Sequence, residues 1–301
     1  MSDSYCVRHE LILPLPSGYR IADILPYHQR DEEALAEVVS GQSLRKGVVW
    51  YGSIAELMLN FQNHQVTASI QYGGHPQRDS NAAFLRCVQR MCGLTQPIHA
   101  FAQEWGSSEL LEPLFTMGTD LRFALTPSVF EALSWAVVSQ QISVKAAVKL
   151  RHRMIKLCDL TTPSGLYCYP DAVALSAISV ADLSAIGFPK AKAETLKRLC
   201  DFAQGHSLDE LDGNNPRHMH ELSHQLLSVK GIGPWTANYG LLRGYGYLDG
   251  SLHGDIALRR ALQIMWQHPD DVSDKQTEHW LAQFSPWRAL VAAYLWQYTG
   301  A

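Results

Sequence analysis

Residues 226–262 read LLSVKGIGPWTANYGLLRGYGYLDGSLHGDIALRRAL, and this stretch decides the fold. An apolar helix closes at Gln225 to Val229. Gly231-Ile232-Gly233 cannot continue it, because glycine favours positive φ and loosens a helix interior. Pro234 suits the first turn of a new helix, where its missing N–H costs nothing. Trp235 to Arg243 then follow at helical spacing. Two helices joined by so short a turn form an αα-hairpin. The turn lacks a Cβ at Gly231 and Gly233, so a phosphate can approach the N–H groups at the second helix's N-terminus. That is a sequence-tolerant way to hold a DNA backbone. After a loop, Gly254-Asp255 opens another helix.

The totals set the frame. A chain of 301 residues can bury a sizeable core, and its length suggests two domains. With 47% hydrophobic and 18% charged residues the composition is that of a globular protein. The net charge of −4, with a pI near 6.3, argues against tight, purely electrostatic DNA binding. Contact through backbone amides and a few cations remains open. The six cysteines, Cys6, Cys87, Cys92, Cys158, Cys168 and Cys200, form no Cys-x-x-Cys pair, so neither a structural zinc site nor a disulfide framework follows from them. The opening MSDSYCVRHELILPLPSG lacks a signal pattern, and no segment reaches membrane-spanning length. A reducing, cytoplasmic compartment is expected.

Strand-like runs at Cys6 to Pro14, Lys46 to Trp50, Ile54 to Asn60 and Gln65 to Tyr72 are separated by turns at Tyr51-Gly52-Ser53 and Asn63-His64, and Gly73-Gly74 with Pro76 ends the series. Ile21 to Tyr27 reads as a short helix. From Asn81 the period becomes helical. Helices are expected over Ala82–Met91, Ile98–Trp105, Ser107–Phe115, a segment opened by Thr126-Pro127-Ser128 and running to Ser139, Val144–Cys158, Asp171–Leu175, Val180–Ala185, Ala191–Phe202, Ser207–Asp212, Met219–Val229 and an all-apolar final helix over Pro286–Tyr298. Gly213-Asn214-Asn215-Pro216 reads as a break. The fold class is α+β: a β-rich domain over 1–110 followed by a helical domain over 111–301, with the hairpin at about 226–244.

Val229-Lys230-Gly231-Ile232-Gly233-Pro234-Trp235-Thr236-Ala237-Asn238-Tyr239 followed by Gly254-Asp255 resembles the helix-hairpin-helix DNA glycosylases, and within them the AlkA-type DNA-3-methyladenine glycosylase II. Ser139-Gln140-Gln141-Ile142-Ser143 is a second match. The resemblance implies a small TBP-like antiparallel sheet domain ahead of an all-α glycosylase core. It also implies base excision repair of damaged double-stranded DNA by a monomer. Asp255 matches the family's catalytic aspartate; its plain reading is a helix N-cap. Asp249, in a Gly-flanked loop, is the alternative acid. Trp235, Tyr239 and Trp296 match the aromatic lining of the base pocket, where stacking and cation–π attraction would hold an alkylated purine; their plain reading is core packing. Gly231, Gly233, Thr236 and Lys190 match DNA-contacting positions. Gln141 falls where the family places a wedge in the space left by the flipped nucleotide, a position that is leucine in the best-known type.

Relatives that also cut the strand carry a lysine where this chain has Trp235. Indole cannot form the Schiff base with the sugar, so a monofunctional enzyme without AP lyase activity is expected. The resemblance further points to a monovalent cation on the carbonyls of Leu227, Val229 and Ile232. No cofactor is required. Some relatives hold an iron–sulfur cluster on four cysteines after the last helix; here no cysteine follows Cys200. A glycosylase for another damaged purine, a DNA-lesion-binding module without catalysis and a generic helical interaction domain are the other readings.

Overall fold

The computed structural model describes residues 7–62, 64–74 and 80–300; Cys6, Asn63 and Pro76, named above, lie outside them. The first half builds a sheet. Strands β1 (Val7–Pro14), β2 (Glu37–Ser40), β3 (Ser43–Trp50), β4 (Ser53–Gln62) and β5 (Gln65–Tyr72) pair antiparallel in the order β1-β5-β4-β3-β2, with helix α1 (Leu25–Gln29) between β1 and β2. Tyr51 and Gly52 both take positive φ, 48° and 74°, the geometry that lets a two-residue turn follow the strand twist. Along β4, Ala55, Leu57, Leu59 and Phe61 alternate inward, and all are fully buried. They pack beneath α2 (Ser80–Met91), whose Phe84, Cys87, Val88 and Met91 complete a first core.

The second core is helical. It is built by α3 (Ile98–Trp105), α4 (Val129–Ser139), α5 (Val144–Cys158), α6 (Ala172–Ser176), α7 (Val180–Ala185), α8 (Lys190–Gln204), α9 (Pro216–Ser228), α10 (Pro234–Tyr245), α11 (Ile256–Met265), α12 (Asp274–Ala282) and α13 (Arg288–Thr299). A two-residue strand, β6 (Cys168–Tyr169), lies between α5 and α6 and pairs parallel with β3, so the helical half adds a strand to the sheet. Helix α4 is buried from Val129 through Val138 and packs against α5, α8 and α10. It meets α10 closely because Gly240 has no side chain. A Cβ there would stand 2.3 Å from Leu133 Cδ2.

The two halves are locked by buried charges. Lys46 of β3, with no exposed surface, donates to Glu37 at 2.6 Å and to Glu131 of α4 at 2.7 Å. Arg151 of α5 donates to Glu37 at 3.0 Å and to Asp31 at 3.3 Å. Removing one member would leave an uncompensated charge in the interior.

The antiparallel sheet followed by a helical core agrees with the expected α+β class, and several details correct the expectation. Ser107–Phe115 is not an α-helix. Pro113 lacks an N–H and restrains its predecessor, and only a 3₁₀ turn forms at Glu112–Leu114. Ser207–Asp212 likewise yields only a 3₁₀ turn, Leu208–Glu210. Pro216, read as a break, opens α9 at its first position, with Asn215 accepting from Arg217 N at 3.0 Å as the cap. Only the first three residues of the 126–139 segment lie ahead of the helix, and α4 starts after Ser128, whose hydroxyl accepts from Glu131 N at 3.2 Å. Strand β2 and helix α12 had no sequence expectation.

Candidate active site

The hairpin is α9, a tight turn and α10. Gly231 sits at φ 100°, and a Cβ there would lie 2.0 Å from Thr195 Oγ1, so the fold itself demands glycine. Gly233 is different. Its φ is −100°, and a Cβ would meet nothing within 4 Å. The space beside it is open, which leaves the first amides of α10 accessible to an anion. Ile232 N donates to the Val229 carbonyl at 2.9 Å inside the turn. Of the three carbonyls considered for a cation, that of Val229 therefore already has one partner.

Asp255 caps α11. Its Oδ1 accepts from Ala257 N at 2.8 Å, and its Oδ2 accepts from the indole Nε1 of Trp235 at 3.0 Å. The carboxylate is partly exposed. The residue is an N-cap, and its other oxygen is held by a residue on the hairpin helix. The loop that delivers it is fixed by Asn238 Nδ2 donating to the Ser251 carbonyl at 2.8 Å. Asp249 is occupied elsewhere. It pairs with Arg288 at 2.7 Å and accepts from Ser285 Oγ at 3.0 Å, tying the loop to the start of α13.

Trp235, Tyr239 and Arg243 fall at i, i+4 and i+8 and share one face of α10. The Trp235 and Tyr239 rings stack at 5.1 Å, and Trp296 of α13 stands edge-on to Tyr239 at 6.1 Å. The predicted aromatic trio is therefore brought together, with Asp255 joined to it through Trp235. Trp135 of α4 donates its Nε1 to Tyr239 Oη at 3.3 Å.

Two arginines also enter this cluster. The Arg243 guanidinium lies 4.5 Å from the Tyr27 ring centre and 5.8 Å from those of Tyr239 and Trp296, and its Nε is buried without a hydrogen-bond partner among the described residues. Arg30 lies 3.7 Å over Tyr27 and 5.1 Å over Trp135. Burial would push the Tyr239 hydroxyl up, but Arg243 and Arg30 outweigh it and hold the group below the ordinary tyrosine range.

Gln141 is exposed at the tip of the turn between α4 and α5, with φ 58°. The turn is braced from below. Gln140 Nε2 donates to the Gly231 carbonyl at 3.0 Å and to Thr236 Oγ1 at 2.9 Å. Lys192 Nζ donates to the carbonyls of Val138 at 2.8 Å and Gln140 at 3.0 Å, and burial lowers its pKa. Thr236 is itself buried, so its side chain serves this brace. Lys190 is exposed at the first turn of α8.

Sequence reasoning missed Tyr27, Arg30, Trp135, Arg243, Gln140 and Lys192 as parts of the site. Helical spacing from Tyr239 was enough to find Arg243. No local signal points to Tyr27 or Arg30, more than 200 residues upstream of Tyr239.

A family model described as HhH-GPD superfamily base excision DNA repair protein matches residues 134–286, from within α4 to just before α13. A DNA-3-methyladenine glycosylase of Bacillus subtilis is 26% identical over 97% of this chain and 97% of its own length. DNA-3-methyladenine glycosylase 2 of Escherichia coli is 28% identical over 60% of this chain and 61% of its own. The chain thus spans less than two thirds of that relative. The solved structure of a 3-methyladenine DNA glycosylase from Archaeoglobus fulgidus superposes with a TM-score of 0.77 and 22% identity over 96% of this chain and 98% of that one, a likeness of fold.

Proposed function

The chain belongs to the HhH-GPD superfamily of base excision DNA repair proteins, and on that premise we propose that it is a monofunctional DNA glycosylase that hydrolyses the N-glycosidic bond of alkylated purines, 3-methyladenine among them. The observation that carries this reading is the bond from Trp235 to Asp255, which joins a partly exposed carboxylate to an aromatic cluster beside the hairpin. A base must leave the stack before its glycosidic bond can be reached. The Trp235, Tyr239 and Trp296 rings would receive it. As the bond breaks, positive charge builds on the sugar, and the Asp255 carboxylate would stabilise that charge and direct a water. One acid suffices when the departing base is already cationic.

In this reading the turn of Gly231 and Gly233 presents the first amides of α10 to the duplex backbone together with Lys190, Thr236 contributes by anchoring Gln140 beneath the α4–α5 turn, and Gln141 fills the vacated stack. The carbonyls of Leu227, Val229 and Ile232 hold a monovalent cation that bridges to phosphate. The enzyme acts as a cytoplasmic monomer on damaged double-stranded DNA and needs no cofactor. Residues 1–110 brace the helical domain, and 111–301 carry the chemistry. Trp235 supports the absence of strand cleavage, since an indole offers no amine. Lys192, the buried lysine nearest the turn, spends its hydrogen bonds on two carbonyls. The test is base release from methylated duplex, with borohydride present in a parallel reaction. Free 3-methyladenine and no protein–DNA adduct are expected. A trapped adduct removes the monofunctional assignment, and no base release from a panel of alkylated duplexes removes the enzyme.

A further inference from the structure

Three helices that carry the candidate active site also reach a second opening. Helix α4 starts at Val129 and ends at Ser139, beside the bond from Gln140 to the Gly231 carbonyl. Helices α8 and α10 start close to that bond, at Lys190 and Pro234, and run the other way to Gln204 and Tyr245. Between their far ends and the sheet lies a cleft of about 600 Å³, lined by Ser128, Gln204 and Tyr245 and, from the other half, by Trp50 of β3 and Arg90 of α2. At 1.5 Å per residue these helices set it about 16–22 Å from the hairpin turn. Its volume is that of a small-molecule site. Neither Asp255 nor Trp235, Tyr239 or Trp296 lines it.

On the sheet side two donors are buried without a hydrogen-bond partner among the described residues, the indole Nε1 of Trp50 and the Nε of Arg90. Both side chains are fixed. Trp50 stands edge-on to Phe84 at 6.3 Å, and Arg90 Nη2 donates to the Pro127 carbonyl at 2.8 Å and to Asp209 at 3.3 Å. A buried donor left unpaired costs free energy, so two on one cleft call for an acceptor. On the helical side Asp171 and Asp212 each spend one carboxylate oxygen on a backbone N–H, that of Ala174 at 2.8 Å and that of Asn214 at 2.9 Å. This fixes each carboxylate and leaves its other oxygen to accept. The rings of Trp50, Tyr169 and Tyr245 add flat apolar surface. Donors from one half, acceptors from the other and aromatic walls suit a flat heterocycle that has both kinds of edge. Guanine is such a ring. Its O6 and N7 accept along one edge, the edge that guanidinium groups read, and its N1–H and N2–H₂ donate along another. Adenine sets an N6–H₂ donor beside N7, which would face donor with donor. A phosphate is disfavoured, because Asp171, Glu210 and Asp212 line the cleft without an ion pair among the described residues.

We propose that this cleft is a second ligand site, which takes a neutral guanine nucleoside and ties the two halves of the protein together. The occupant joins Trp50 and Arg90 of the N-terminal half to Asp171 and Asp212 of the helical half. The site stands apart from the glycosylase reading and shares no residue with it. A duplex held at the hairpin leaves it open, since the hairpin and Gln141 lie at the opposite ends of α4, α8 and α10.

Titration calorimetry of the full chain with deoxyguanosine, deoxyadenosine and deoxyguanosine monophosphate tests it. Deoxyguanosine should bind one-to-one with a dissociation constant on the order of 100 µM, and the other two at least about tenfold more weakly. At about ten times that constant it should raise the melting temperature by about 2–3 °C. Trp50→Phe keeps an aromatic ring and removes a donor that has no partner, so it should melt within a few degrees of wild type. It should bind deoxyguanosine about tenfold more weakly. Ala83→Trp, which sets a large ring into the cleft from α2, should abolish binding. Trp235→Ala should bind the nucleoside like wild type, and an added abasic-site duplex should leave the affinity unchanged. Loss of binding in Trp235→Ala, or displacement by the duplex, would move the nucleoside to the catalytic pocket and overturn the site. No binding by wild type at about 1 mM, equal affinity for the three probes, or unchanged affinity in Trp50→Phe would overturn it as well.

Discussion

Replacing Asp255 by asparagine removes a charge and keeps most of the shape. A carboxylate about 4 Å from the developing charge on the sugar, at an effective dielectric near 20, contributes about 4 kcal/mol. Its loss corresponds to about a thousandfold in rate. The structure adds a second, smaller cost. Asp255 accepts two hydrogen bonds with its two oxygens, from Ala257 N and from Trp235 Nε1. Asparagine has one oxygen. If it keeps the cap, which it serves as well as aspartate does, its NH₂ faces the indole N–H, donor against donor. That mismatch costs about 1–3 kcal/mol, enough to lower the melting temperature by several degrees while leaving the protein folded. Single-turnover release from a methylated duplex reads the first effect. Thermal melting reads the second, and anisotropy on an abasic-site duplex reports DNA binding. The expected pattern is a rate down about a thousandfold, a modest loss of stability and binding within a fewfold of wild type. A variant that keeps more than a tenth of the rate would falsify the assignment of Asp255 as the acting acid.

The two turn glycines should separate. Gly231→Ala meets Thr195 at a positive φ and should lose about 2–4 kcal/mol, seen in denaturant unfolding. Gly233→Ala should melt like wild type yet bind duplex at least about tenfold more weakly, because its Cβ enters space that the fold leaves empty. Gln140→Ala removes both bonds between the hairpin and the α4–α5 turn and should cost about 1–2 kcal/mol. In gel-shift titrations it should weaken binding to lesion duplex more than to undamaged duplex. Stability should fall in acid in two stages. Burial lowers the His28 pKa below its usual 6.5, so the unfolded chain gains a proton first, and stability starts to fall as pH drops through about 6.5. Burial alone would raise Glu37, but Lys46, Arg151 and His28 outweigh it and hold the carboxyl well below its usual 4.5. Its contribution is therefore lost below about pH 4.5, and melting temperature against pH should steepen there. Lys46→Met, which leaves Glu37 and Glu131 with Arg151 as their one shared cation among the described residues, should be less stable than wild type at neutral pH.

What could be read from the chain before its structure follows the range of the forces involved. Helix ends fixed by local chemistry were legible: Val144–Cys158 and Val180–Ala185 agree to the residue, each with a serine cap just ahead. So was the stripe of Trp235 and Tyr239, because helical spacing alone puts i and i+4 side by side. Local reading failed where a proline had two meanings. Pro113 ended a helix that periodicity favoured, and Pro216 began one where it had been read as a break. It also failed wherever the partner is distant in sequence. Lys46 reads as an ordinary exposed strand residue until α4 brings Glu131 against it and α5 brings Arg151 to the same carboxylate. Tyr27 and Arg30 read as the end of a minor helix, yet the same junction of the two halves that buries Lys46 lays them across Trp135 and Arg243. The buried ion network and the far wall of the aromatic cluster are thus two outcomes of one packing event. A substitution that loosens Lys46 from Glu131 should consequently reach the base pocket as well as the melting curve, since the segment carrying Glu37 also carries Tyr27 and Arg30.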